Sequence, residues 1–193
     1  MTDNFNARSS GDAATKEFVK PPAFYDAWQE GEGIPIHKVF HVENMMDVEL
    51  GHWKRMGVPA AFVNLADPFL TTAMIVEIPP GGKTEPITHM FETWIFVVDG
   101  HGETIIEQEG TPTNAVPWQK RSLFGPPLNT RYQHVNLDSD KPARLLMVTN
   151  APLTMNLYHN EKFVFDNDFV FDDRYEGENS FFNGEHEYIG GRV

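Results

Sequence analysis

Apolar and polar positions alternate along much of the chain with a period of two, in short runs separated by turn residues. AAFVNL (60–65), TTAMIVEI (71–78), TWIFVVD (93–99), ETIIEQ (103–108), RYQHVNL (131–137) and ARLLMVT (143–149) are β-rich and bounded by Gly, Pro, Asn or Asp. Their number and spacing predict an all-β domain, a sandwich or barrel of antiparallel strands. Within TWIFVVD both faces are apolar, since Trp94 and Phe96 alternate with Ile95 and Val97. Such a strand belongs in a core or at a dimer interface. Asp99-Gly100 carries the strongest short hairpin signal in the chain, and Pro79-Pro80-Gly81-Gly82 ends the strand before it. Ahead of these runs, AFYDAWQ (23–29) predicts a short helix or turn, stopped by Gly31, Gly33 and Pro35, and IHKVFHV reads as extended.

The two ends differ from the middle. Residues 1–20 are rich in Ser, Asn, Asp, Ala and Thr without a sustained period and predict a flexible arm. Near the other end FVFDND (163–168) is followed at once by FVFDDR (169–174). This local repeat predicts two edge strands or extended arms that lay Phe side chains on the domain and expose Asp. It is not an EF-hand, which needs a Gly turn and a distal Glu.

Composition narrows the function classes. With 193 residues, 40% hydrophobic and 12% aromatic, the chain can bury one substantial core. Fifteen Lys and Arg against 28 Asp and Glu give a net charge of -13, which disfavours nucleic acid as a partner. The absence of Cys removes disulfides, thiolate nucleophiles and thiolate metal sites, so any metal must be held by His and carboxylate. The N-terminus lacks a signal-like apolar stretch, no run of 18 apolar residues occurs, and no basic amphipathic face is visible. These features predict a soluble, cytoplasmic protein without membrane attachment. There is no glycine-rich phosphate loop and no G-x-S-x-G, which argues against NAD, ATP and serine-nucleophile chemistry.

Two ordered segments carry a family resemblance. PPGGKTEPITHMFETWIFVVDGHG (79–102) resembles the first motif of the cupin superfamily: a Pro-Gly-Gly turn, a His-containing strand, and an apolar strand closing on Gly. FGPPLNTRYQHVN (124–136) resembles the second, in which a Pro-bearing turn leads into a strand ending in His, three residues and Asn. The resemblance implies a cupin-type antiparallel β-barrel (double-stranded β-helix or jelly roll) over 60–155. An extension at 21–59 packs on it, and an aromatic and acidic extension follows at 156–193. It also implies that active members hold one divalent metal with two His, a Glu and a third His. Aligned on Gly100, those positions fall at Ile87, His89, Thr93 and Tyr132, so one of four is retained.

Strand alternation offers a modified site. If Tyr132 points inward, so do His134 and Asn136. On the facing segment Glu85, Ile87 and His89 share a face if it is regular, and Glu92 is a second carboxylate candidate. A set of His89, His134 and either Glu85 or Glu92 would suit Fe, Mn, Ni or Zn. Tyr132 and His134 are the candidate catalytic groups, as hydrogen-bond donors or proton carriers. Three readings stay open: a metal-dependent oxygenase of an organic acid or aromatic compound, a metal-free cupin that binds or isomerises a small polar ligand, and a noncatalytic assembly protein. A small molecule is the expected partner. Cupin resemblance, surplus apolar strands and the Phe-rich segments FVFDNDFVF and SFF together predict a homodimer.

Overall fold

The computed structural model describes residues 23–66, 69–165 and 167–177. The elements are α1 (Phe24–Gly31), β1 (Ile36–Val39), β2 (Gly51–Trp53), β3 (Val58–Leu65), β4 (Thr72–Ile78), β5 (Thr93–Asp99), β6 (His101–Glu107), β7 (Asn114–Gln119), β8 (Leu123–Phe124), β9 (Arg131–Asn136), β10 (Ala143–Thr149), α2 (Ala151–Tyr158) and α3 (Glu161–Val164). The six predicted runs are β3, β4, β5, β6, β9 and β10. The arm predicted at 1–20 and the SFF segment lie outside the described residues. Among the described residues no helix is long and apolar enough to cross a membrane.

The strands form two sheets. One runs β1-β3-β4-β10-β5-β8, with β2 also on β3, and the other runs β7-β6-β9. Pairing is antiparallel except for β1 beside β3, which is parallel. Alternation places Ile95, Val97, Leu145 and Met147 of the first sheet in one buried cluster with Ile106, Trp118 and Tyr132 of the second. The inward faces of the two sheets therefore supply a single core. On the outer face of β3 and β4, Val42, Met45, Val48 and Leu50 pack over Val63, Ala73 and Ile75. Arg144 fastens that cover: its Nη1 donates to the carbonyls of Met45 (2.9 Å) and Met46 (2.6 Å), while Nε donates to Glu77 at 2.9 Å.

Asp99-Gly100 does not close a hairpin. β5 ends at Asp99 in one sheet and β6 begins at His101 in the other, so the dipeptide turns a corner between sheets. Gly100 has φ +95°, and a Cβ on it would stand 2.7 Å from the Ala143 Cβ. Two positions on, a Cβ at Gly102 would lie 2.0 Å from the Val135 carbonyl oxygen and 2.5 Å from the Trp118 ring. The glycines are there because β6 passes its neighbours too closely for a side chain.

The segment between β4 and β5 runs along β9 with one irregularity. Lys83 bridges Val135 and Ile87 bridges Tyr132, so four steps on this segment, 83 to 87, face three on β9, 135 to 132. The extra residue makes a bulge around Pro86, which has no N–H to give to a ladder. The Phe-rich repeat is not a pair of strands. Phe163 and Val164 end α3, Phe165 bridges His89, and 167–171 have no regular structure.

Candidate functional site

β9 delivers the inward side chains in strict alternation. Tyr132, His134 and Asn136 are buried, at 2%, 0% and 1% exposure. Arg131 is exposed and Gln133 half-buried on the other face, where Arg131 pairs with Glu107 at 2.9 Å. Asn136 is a structural group: its amide donates to the carbonyls of Ile78, Pro79 and Lys141, and its Oδ1 accepts from the Asp138 N–H.

The bulge at Pro86 decides what the facing segment contributes. Thr84, Ile87 and His89 are buried, whereas Glu85 is exposed. The expected common face of Glu85, Ile87 and His89 is broken by the added residue, and Glu85 lines an open outer hollow of about 480 Å³ with Lys83, Glu107 and Arg131. Glu92 is also exposed. It lies just before β5, where its backbone exchanges hydrogen bonds with Asn150. Neither carboxylate reaches His89 or His134.

His89, Tyr132 and His134 do come together. His89 Nδ1 lies 2.8 Å from the Phe91 carbonyl, which can only accept, so Nδ1 carries the proton. His89 Nε2 is then bare and accepts the Tyr132 hydroxyl at 2.7 Å. The Tyr132 and His134 rings are 5.2 Å apart. Thr104 Oγ1 accepts from Trp118 Nε1 at 3.0 Å and donates its own proton to His134 Nδ1 at 2.7 Å. That leaves the proton of His134 on Nε2, which is buried and has no hydrogen-bond partner. The Thr93 hydroxyl approaches that of Tyr132 without completing a hydrogen bond. Burial pushes His89 down to about 4. His134 falls to about 3, first through burial and second through the nearby His89. The Tyr132 phenol is pushed up by burial. At neutral pH all three groups are uncharged.

An aromatic cover closes the cluster. Trp28 from α1, Phe91 before β5 and Phe165 after α3 line one void with Ile87, His89 and Tyr132. Its volume is about 10 Å³, barely that of one water. Phe91 stacks on His89 with ring centres 3.8 Å apart, and Phe165 meets Phe91 edge-on at 5.6 Å. Nothing local in the sequence marks Trp28 or Phe165 as neighbours of His89, which lies 61 residues after one and 76 before the other.

The donor set does not fit a divalent metal. Of the four aligned positions Ile87 has no donor and Thr93 offers only a hydroxyl. Burial keeps the proton on Tyr132, and His89 spends its free nitrogen on Tyr132. Among the described residues no group of three His, Asp or Glu gathers to hold a dication, and neither Glu85 nor Glu92 is there to offset its charge.

No protein-family model matches the sequence, and no curated protein does. Solved structures are similar over part of the chain. An oxalate decarboxylase formate complex from Lactobacillus farciminis is similar at 21% identity, TM-score 0.48, over 57% of this chain and 35% of that one. The Cnp3 cupin domain of Schizosaccharomyces pombe matches at 16% identity, TM-score 0.48, over 60% and 77%. The polyketide cyclase RemF from Streptomyces resistomycificus matches at 19% identity, TM-score 0.46, over 56% and 78%. This chain thus spans about a third of the length of the oxalate decarboxylase it matches. The described residues are mostly strand, in two sheets that share one core, and both motif segments contribute to that core.

Proposed function

We propose that this cupin binds a small molecule between its sheets without a metal, using the neutral cluster of His89, Tyr132, His134 and Thr93 as its polar wall. The observation that carries this reading is the buried His134 Nε2, a donor without a hydrogen-bond partner among the described residues. A buried unpaired N–H costs about 1–3 kcal/mol, and a ligand acceptor reaching it recovers that cost on binding. The chemistry favours binding over turnover. An imidazole held down at about 4 is a weak base, and a phenol pushed up by burial is a weak acid. An oxygenase reading lacks the anionic ligand that would retain its metal.

Metal analysis of untagged protein tests this. The expected result is far less than one transition metal per chain and no rise in Tm with Mn²⁺, Fe²⁺, Ni²⁺ or Zn²⁺. Ligands found by thermal shift should stabilise the wild type but not His134→Leu. One tightly held metal ion per chain, lost in His89→Ala, overturns the reading.

A further inference from the structure

The cover over the cluster is itself built like a ligand. Arg55, in the turn after β2, places its guanidinium 4.1 Å from the centre of the Phe165 ring and 5.6 Å from that of Trp28. Two carboxylates meet it. Glu32, just after α1, accepts from Arg55 Nε at 3.1 Å and from Trp53 Nε1 at 2.6 Å, and its side chain is 10% exposed. Glu161, in α3, accepts one hydrogen bond from Nη2 at 2.7 Å and is 52% exposed. Glu32 is therefore the fixed counter-ion of Arg55, and Glu161 is a second carboxylate on the same guanidinium, held by one contact at the surface.

Glu161 and Phe165 belong to one turn, with the Phe165 N–H donating to the Glu161 carbonyl at 2.8 Å. Together they present to Arg55 a carboxylate and, one turn on, an aromatic ring. That ring lines the void shared with His89 and Tyr132. Beside it, Trp28 Nε1 is buried without a hydrogen-bond partner in a residue only 8% exposed. The neighbourhood thus holds an arginine with an exchangeable partner, an unsatisfied indole N–H, and a ring-shaped volume filled by the chain's own Phe165.

We propose that Glu161 and Phe165 stand in for the ligand of this site, an aromatic carboxylate. Its carboxylate takes the place of Glu161 on Arg55, and its ring takes the place of Phe165 beside His89 and Tyr132. This rests on the small-molecule reading above and names the class of molecule. The exchange keeps the charge balance: one carboxylate replaces another on Arg55, Glu32 stays paired, and the released Glu161 returns to water, where its charge is well solvated. Arginine suits the role because its planar fork matches a carboxylate and its face lies against a ring.

The test uses the full chain and sodium benzoate, followed by tryptophan fluorescence and calorimetry at fixed ionic strength, with benzyl alcohol as the uncharged analogue. Glu161→Gln removes the competing charge from a half-exposed position and should leave Tm unchanged. It is expected to raise benzoate affinity at least about tenfold over wild type, since a charge-assisted bond is freed for the ligand. Adding Arg55→Lys should reverse most of that gain by removing the fork while keeping the charge. Phe165→Ala should bind benzoate in preference to benzyl alcohol. Equal binding of the two compounds, with no gain in Glu161→Gln, overturns the carboxylate assignment and leaves the small-molecule reading intact. Binding of neither compound by wild type, Glu161→Gln or Phe165→Ala overturns the aromatic-carboxylate assignment, while the small-molecule reading stands or falls on the metal analysis above.

Discussion

Three buried side chains set the character of the site, and hydrogen bonds fix which atoms carry protons. Because the Phe91 carbonyl takes the Nδ1 proton of His89, Tyr132 must be the donor to Nε2. Tyr132→Phe would leave that nitrogen buried and unsatisfied. Denaturant unfolding should show a loss of about 1–3 kcal/mol. The same burial makes stability depend on pH. Unfolded, each imidazole titrates near 6.5, whereas in the fold His89 and His134 are held at about 4 and about 3. Between those values the unfolded chain binds more protons, so stability is full above the unfolded value and falls as pH drops from about 6.5 toward 4 and 3. The loss is on the order of a few kcal/mol for each imidazole, about 8 kcal/mol for the two together once pH has fallen through both folded values. NMR titration of the imidazole carbons is the direct check: neither ring should protonate above pH 5. A midpoint near 6.5 for either would show that its ring is solvated.

At the scale of elements, close approach and one bulge place these residues. Gly102→Ala would drive a methyl into the Val135 carbonyl and the Trp118 ring, separating β6 from β9 and β7. A loss above about 3 kcal/mol is expected, or failure to fold. Gly110→Ala, where φ is +79° and nothing lies within 4 Å, should cost only about 1 kcal/mol of backbone strain. Thermal unfolding of the pair separates crowding from conformation. The strands themselves were legible, since alternating apolar runs bounded by turn residues report burial on one face directly. The inward set on β9 was legible for the same reason: a regular strand preserves parity from Tyr132 to Asn136. The facing segment was not, because an added residue at Pro86 turns Glu85 outward, and no local pattern announces a bulge. Asp99-Gly100 misled for a related reason, as a dipeptide that accepts positive φ serves a corner between sheets as well as a hairpin. α2 gave little signal, as its short apolar run APLTMNLY has no clear polar face. The cover of Trp28, Arg55 and Phe165 is assembled from segments far apart in the chain, a relation that periodicity does not record.

Across the whole molecule one outer surface stands apart. The outer face of β3 and β4 is covered by residues 42–50, and the same face continues uncovered over β10, β5 and β8. There Trp94 is 66% exposed and Leu123 68%, with Val148 opposite Trp94 and Phe96 paired to both Leu123 and Leu146. In a chain of net charge -13, these outward positions of β5 and β8 form an uncharged strip on which two copies can meet with little repulsion. Within the Phe-rich tail Phe165 is buried in its own chain, while Phe163 and Phe169 are exposed. A stable pair needs about 800 Å² from each partner, so Leu153 and Leu157 on α2, also exposed, would have to join the contact. For the homodimer expected from the sequence we propose this face, with Trp94 near its centre as the aromatic anchor. Light scattering at micromolar concentration should give the mass of two chains. Trp94→Lys, at an exposed position outside the core, should give the mass of one without lowering the monomer's own unfolding temperature. A wild-type mass of one chain under those conditions would rule the dimer out, and a Trp94→Lys protein that remains paired would move the interface elsewhere.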